Sequence, residues 1–178
     1  SGYIDEADWC EAILFTHNIL NPAYKEVIAQ AHRKGIATIV MNPLGGGMLV
    51  ENSPVLKDAV SKALGSENII EAAHRYLASN ENIDTILCGI SKPSDIASTI
   101  ENFSKPLLTV EKNKALQDAF DEISSKGMGF CADCKYCMPC PEGIDIPFMM
   151  KISYLNRFLK LESRPAELYS WFPDGASK

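Results

Sequence analysis

Four cysteines, Cys131, Cys134, Cys137 and Cys140, follow one another at two-residue gaps, and Pro141 comes directly after the last. Thiolates are soft ligands, and three successive short gaps let one tight loop wrap several of them around a compact metal centre. Zinc sites usually take two cysteine pairs set apart by a longer spacer, so that each pair approaches the ion along a different tetrahedral edge. The continuous spacing therefore favours an iron-sulfur cluster over zinc, and zinc over a bare thiol cluster. Cys10 and Cys88 stand alone in apolar surroundings and read as buried thiols.

The setting agrees with metal ligation. The chain has 178 residues, of which 46% are apolar, enough for one ordinary core and a small appendage. Ser1 to Asp8 lacks the basic and apolar regions of a signal peptide, and no apolar run is long enough to span a bilayer. A cytoplasmic, reducing location is expected, where clustered cysteines bind metal rather than pair as disulfides. A formal net charge of −6 and the lack of a dense Lys/Arg stripe exclude a nucleic-acid surface and an acidic membrane surface as expected partners.

The elements that must position this cassette alternate between strand and helix patterns. Ala12 to Phe15 is a short apolar run, and Asn21-Pro22 reads as an N-cap and first helical residue, with the helix running to about Lys34. Gly35 then serves as a left-handed C-cap, and Ile36 to Met41 reads as a parallel strand covered on both faces. A glycine-rich loop, Pro43 to Met48, leads to a helix start at Ser53-Pro54. The next helix spans about Asn68 to Ser79, with Ile69, Ala72, Ala73, Tyr76 and Leu77 on one face. Asp84 to Ile90 is the third strand, and Ser91 to Asp95 opens a helix ending near Phe103. This order is the grammar of a parallel α/β sheet. Three such strands leave two unpaired edges, so the unit is expected to be completed by strands upstream of Ser1 or by another subunit, with oligomer formation through the exposed sheet edges as one route.

Beyond Lys105 the pattern changes to helices: Thr109 to Lys126, with an apolar stripe of Ala115, Leu116, Ala119, Phe120 and Ile123, then about Pro147 to Leu161 and about Arg164 to Phe172. A boundary near Gly127 divides residues 1–126 from residues 127–178. His17 at a strand end reads as a structural hydrogen-bonder, and His32 and His74 as surface or groove residues. Tyr154, Leu155, Phe158 and Leu159 share a face that packs the tail against the rest, and Trp171-Phe172-Pro173 reads as a docking contact.

Several segments in order, Asn18 to Pro22, Met41 to Gly47, Gly89 to Pro93 and above all Cys131 to Pro147, resemble the C-terminal half of an aldo/keto reductase of the subgroup that carries a ferredoxin-like iron-sulfur extension. The resemblance implies a partial (β/α)8 TIM-type barrel, strands six to eight with their helices, followed by a small helical, ferredoxin-like cysteine-rich segment. It implies an NAD(P)-dependent oxidoreductase acting on a small carbonyl-type substrate, with a 4Fe-4S cluster and, by extension, a redox partner protein. The alternative is a non-catalytic iron-sulfur or zinc module that needs a partner to complete its barrel. Bacterial ferredoxins place three residues, not two, before the cysteine that precedes proline. Either all four cysteines close one site, or Cys140 awaits a second motif beyond Lys178.

By the same resemblance, Pro43, Leu44, Gly45 and Gly46 match the segment that crosses the dinucleotide's pyrophosphate, and Ser91 and Lys92 match the segment at the start of the eighth helix that holds the adenosine phosphate. The Tyr, Lys, His and Asp that the family uses in catalysis sit on earlier strands. No catalytic residue is therefore assigned here, and this chain alone is expected to reduce no carbonyl.

Overall fold

The computed structural model describes residues 2–6, 8–127 and 136–171. After a single helical turn, α1 (Gly2–Asp5), the chain enters β1 (Ala12–Thr16), α2 (Lys25–Arg33), β2 (Ala37–Met41), α3 (Pro54–Leu64), α4 (Ile69–Ala78), β3 (Thr85–Ile86) and α5 (Pro93–Ser104). The long α6 (Val110–Gly127) follows, and the C-terminal segment adds α7 (Ile146–Arg157) and α8 (Ser163–Ser170). The sheet has the order β1-β2-β3 and both pairings are parallel. Phe15 stands beside Val40, and Val40 beside Ile86.

That register divides the side chains between two faces, because neighbouring residues along a strand point to opposite sides. Phe15, Thr38 and Val40 are buried towards the helices, whereas Leu14 and Met41 on the other face are 52% and 40% exposed. β2 is thus covered on one face only, not on both. A continuous apolar run needs two apolar neighbours, and the described residues supply just one layer of helices. Leu87, just past β3, is likewise exposed.

Helix boundaries follow local chemistry where a cap is strong. The side chain of Ser53 accepts the Leu56 N–H at 3.2 Å with Pro54 at the first helical position, and Asn68 accepts the Glu71 N–H at 3.1 Å. Both starts lie where the sequence places them. Gly35 adopts φ +75°, the left-handed conformation a C-cap requires and a side chain resists. The Asn21-Pro22 start is different: α2 begins at Lys25. Asn18 takes the capping role within its own turn, its Oδ1 accepting from Leu20 N–H at 3.0 Å and Asn21 N–H at 3.1 Å. The third strand is shorter than its apolar run, with only Thr85 and Ile86 laddered to β2.

The core joins both halves of the chain. α3 packs on α6 and on α4, and α4 on α5. Ile69, Ala72, Ala73, Tyr76 and Leu77 are all buried, as the α4 stripe predicts. On α6 the stripe is narrower: Leu116, Phe120 and Ile123 are buried, Ala119 is half-buried, and Ala115 faces solvent. Leu155 and Leu159 are buried, with Tyr154 and Phe158 stacked at 5.4 Å between ring centroids.

Two histidines depart from expectation. His17 is fully buried with neither ring nitrogen hydrogen-bonded among the described residues, so it is not the structural hydrogen-bonder its strand-end position suggests. His74, read as a surface or groove residue, is buried between α4 and α5, stacked on Phe103 with centroids 4.7 Å apart and its Nδ1 3.3 Å from Asn102 Nδ2. His32 keeps partial exposure and lies 3.6 Å from Asp84. Helical periodicity places His74 on the same stripe as Leu77, but an amphipathic reading assigns histidine to the polar side by default. No helix among the described residues is long and apolar enough to cross a membrane.

Candidate cofactor loop and cysteine segment

β2 ends at Met41, and the chain turns at once. Asn42 takes φ +63°, and Gly45, Gly46 and Gly47 take φ +61°, +64° and +94°. Successive positive angles of this kind explain the glycine run, since Cβ atoms resist them. Pro43 and Gly45 are buried and Leu44 is half-buried, so Gly46 is the most exposed of the four candidate residues. The loop's amides turn inward. Gly45 N–H donates to the Asn42 carbonyl at 3.1 Å, Gly47 N–H to the Leu44 carbonyl at 3.2 Å, and Gly46 N–H to the Asn42 side-chain oxygen.

The second candidate segment lies beyond the neighbouring strand, β3, and therefore at the same, C-terminal, end of a parallel sheet. Ser91 and Lys92 are both exposed at the start of α5. Their N–H groups each donate to Asp95 Oδ2 at 3.1 Å. In both segments, then, a side-chain oxygen from within the loop occupies backbone donors. Asp95→Ala is expected to free two amides at the cost of a helix cap, lowering stability by about 1 kcal/mol, as equilibrium urea unfolding would measure.

The C-terminal segment is fastened to the residues between the glycine-rich loop and α3 by a set of hydrogen bonds far apart in sequence. The Glu51 carboxylate receives the N–H groups of Glu162, Ser163 and Arg164 at 2.9, 3.0 and 2.7 Å, capping the N-terminus of α8. Three charge-assisted bonds at a helix N-terminus are favourable by both hydrogen bonding and the helix dipole. Buried Ser53 adds a second tie, its Oγ donating to the Leu159 carbonyl at 2.5 Å while capping α3. Glu51→Ala is expected to lower stability by about 2 kcal/mol and to increase proteolysis of the α7–α8 segment before the sheet is cut. Equal protection of both segments in the variant would contradict this.

Among the cysteines, Cys131 and Cys134 lie outside the described residues. Cys137 is exposed and Cys140 half-buried, and both are free thiols. Cys140 closes a turn by accepting Gly143 N–H at 3.0 Å on its carbonyl, and Asp145 caps α7 by accepting Phe148 N–H at 3.1 Å. No group of three or more metal-ligating side chains occurs among the described residues. Cys137 and Cys140 are not joined to each other as a disulfide. Cys10 and Cys88 are half-buried free thiols, rather than fully buried ones. Burial raises the Cys88 pKa, and the Cys10 thiol lies 3.4 Å from the Ala12 carbonyl.

Phe172 and Pro173 lie outside the described residues, and Trp171 is 59% exposed, with the Arg164 guanidinium 5.1 Å from its ring centroid. Sequence reading singled out neither Glu51 nor Arg164. An isolated acid after a loop and a basic residue near a helix start carry no local pattern, and only the docking of residues 159–164 onto residues 46–53 makes them partners.

No protein-family model matches the chain. No curated protein matches it either. Among solved structures it is similar to the aldo-keto reductase AKR11C1 from Bacillus halodurans. The holo form gives a TM-score of 0.55 at 17% identity, covering 66% of this chain and 45% of the reductase. The apo form gives 0.58 at 18% identity, covering 66% and 46%. The chain thus spans less than half the length of these enzymes, and what it shares with them is the fold.

Proposed function

We propose that this chain is part of an NAD(P)-dependent aldo/keto-reductase-like oxidoreductase whose Cys131, Cys134, Cys137 and Cys140 hold a 4Fe-4S cluster. The observation that carries the first half is the aldo-keto-reductase-like fold, with Pro43 to Gly46 and Ser91-Lys92 at the same end of a parallel sheet. Ligands of open and closed parallel α/β sheets bind at that end, because loops there follow the strands' carboxyl termini. The second half rests on the cysteine spacing and on the free thiols of Cys137 and Cys140. A bound cluster would supply one-electron transfer or act as a clip for the segment.

The residues here have binding and positioning roles. Gly46 permits close approach of a ligand or side chain to the loop, and Lys92 offers a cation at the start of α5. The carbonyl-reducing proton donor falls to residues not among these. NADPH consumption with simple aldehydes is accordingly expected to be absent for the 178-residue chain by itself.

Anaerobic reconstitution followed by iron, sulfide and zinc analysis tests the metal assignment. About four iron and four sulfide per chain is expected for a 4Fe-4S centre. One zinc and no sulfide would replace it with the alternative, a zinc-stabilised module. That alternative draws on the exposed Leu14, Met41 and Leu87, a face that a completing partner would cover.

A further inference from the structure

Gly46 is the exposed tip of the glycine-rich loop, and what lies over it is not open solvent. A Cβ built there would meet Arg164 Nη2 at 3.4 Å and Arg164 Cζ at 3.9 Å. A guanidinium from α8 thus stands over the loop within van der Waals range of any side chain that position 46 could carry, more than a hundred residues away in sequence. It is held from several sides: its backbone N–H donates to Glu51, its Nη1 to Glu167 at 2.7 Å, and its Cζ lies over the Trp171 ring. Its side chain is 22% exposed, so it is anchored yet reachable.

The loop's own amides are engaged internally, so an anion approaching Gly46 would meet side-chain charge first. The chain's net charge is −6, which repels a phosphate-bearing ligand unless a cation is placed locally. Arginine suits this role, since its planar fork binds phosphate oxygens two at a time and stays charged throughout the physiological range. We propose that Arg164, supplied by the C-terminal segment, is the cationic residue of a phosphate subsite over Gly46 that takes a pyrophosphate-bearing ligand. This deepens the proposed function and rests on it for the ligand being a dinucleotide. Glu51 is a positioning residue here, fixing the start of α8 and with it the guanidinium. Glu167 competes with the ligand for Nη1.

Isothermal titration of the full chain with inorganic pyrophosphate and, separately, with NADPH tests the subsite. Wild-type chain is expected to bind pyrophosphate, Arg164→Gln to bind it about tenfold or more weakly, and Arg164→Lys to fall between. Glu167→Gln, which removes the competing carboxylate, is expected to tighten binding. Circular dichroism and the unfolding midpoint check that each variant is folded, and if Arg164→Gln does not fold, Glu167→Gln decides. Unchanged affinity in folded Arg164→Gln, unchanged affinity in Glu167→Gln, or no pyrophosphate binding by wild type overturns the inference. NADPH binding that is indifferent to Arg164 removes the subsite and leaves the dinucleotide reading standing. Pyrophosphate binding that depends on Arg164, with no NADPH binding, keeps the subsite and removes the dinucleotide.

Discussion

Between about pH 7.5 and about pH 5 the chain is expected to lose about 2 kcal/mol of stability, and replacing His17 with Leu is expected to abolish most of that loss. His17 is fully buried, its ring nitrogens have no partner among the described residues, and its ring centroid lies 6.1 Å from that of Tyr76. Burial, aided by the nearby Lys25 charge, lowers its pKa from 6.5 to about 4. A group whose folded pKa is depressed takes up a proton more readily when unfolded. Its contribution is therefore complete above pH 6.5 and is lost progressively down to pH 4, where the total approaches about 3 kcal/mol.

His74 shifts in the same direction, also by burial, and adds to the loss. Carboxylates with lowered pKa values act in a more acidic window. Glu71, held down chiefly by its hydrogen bond from Lys105, and Asp84, held down chiefly by the Thr38 backbone N–H, lose their contribution as pH falls below their ordinary range near 4. Urea unfolding at several pH values separates the two windows. An unfolding free energy that is flat between about pH 7.5 and about pH 5, or an equal slope in His17→Leu, would show that the ring is not buried in a neutral state. Because leucine is similar in volume and needs no hydrogen bond, the variant is also expected to be no less stable at neutral pH.

Replacing Cys137 by Ser is expected to abolish the visible absorbance of the reconstituted cluster and to reduce bound iron several-fold, with Cys140→Ser acting alike. Cys10→Ser and Cys88→Ser are the matched controls, since their thiols lie elsewhere in the fold, Cys10 beside β1 and Cys88 after β3. Both are expected to retain wild-type iron and sulfide. If all four variants kept the same iron content, the metal would not be bound by the cassette. If Cys140→Ser alone kept a cluster, a ligand from another source would be closing the site, as the fourth position of a bacterial ferredoxin run does. Thermal unfolding with and without reconstitution reads the structural role. A cluster acting as a clip is expected to raise the midpoint of the α7–α8 segment, which directly follows the cysteines in sequence.

Residues with strong local rules were legible in advance. Ser53-Pro54 and Asn68 start helices because a side-chain oxygen meets an orphan N–H three residues on, a matter of nearest neighbours. Asn21-Pro22 obeys the same rule on paper, but Asn21 is bridged to Asn18 in a local turn and α2 begins only at Lys25. The run from Asp84 to Ile90 is strand-like throughout, yet its backbone bonds to β2 stop at Leu87, and only Thr85 and Ile86 are laddered as strand. A strand needs another strand, and the length of ladder depends on what lies alongside.

The local chemistry of the chain, read from residue order by itself, determined the alternation of strands and helices, the capping of α3 and α4, the buried stripe of α4 and the candidate metal ligands, because each depends on spacing within a few residues. Tertiary structure decided which face of β2 is covered, that His17 and His74 are buried, that the loop amides turn inward, and that Glu51, Ser53 and Gly46 meet residues 159–164. The loop amides are settled by the left-handed turn at Asn42 to Gly47; the other outcomes depend on burial and on distant partners, and solvent exclusion is a property of the packed chain that no short stretch of it carries.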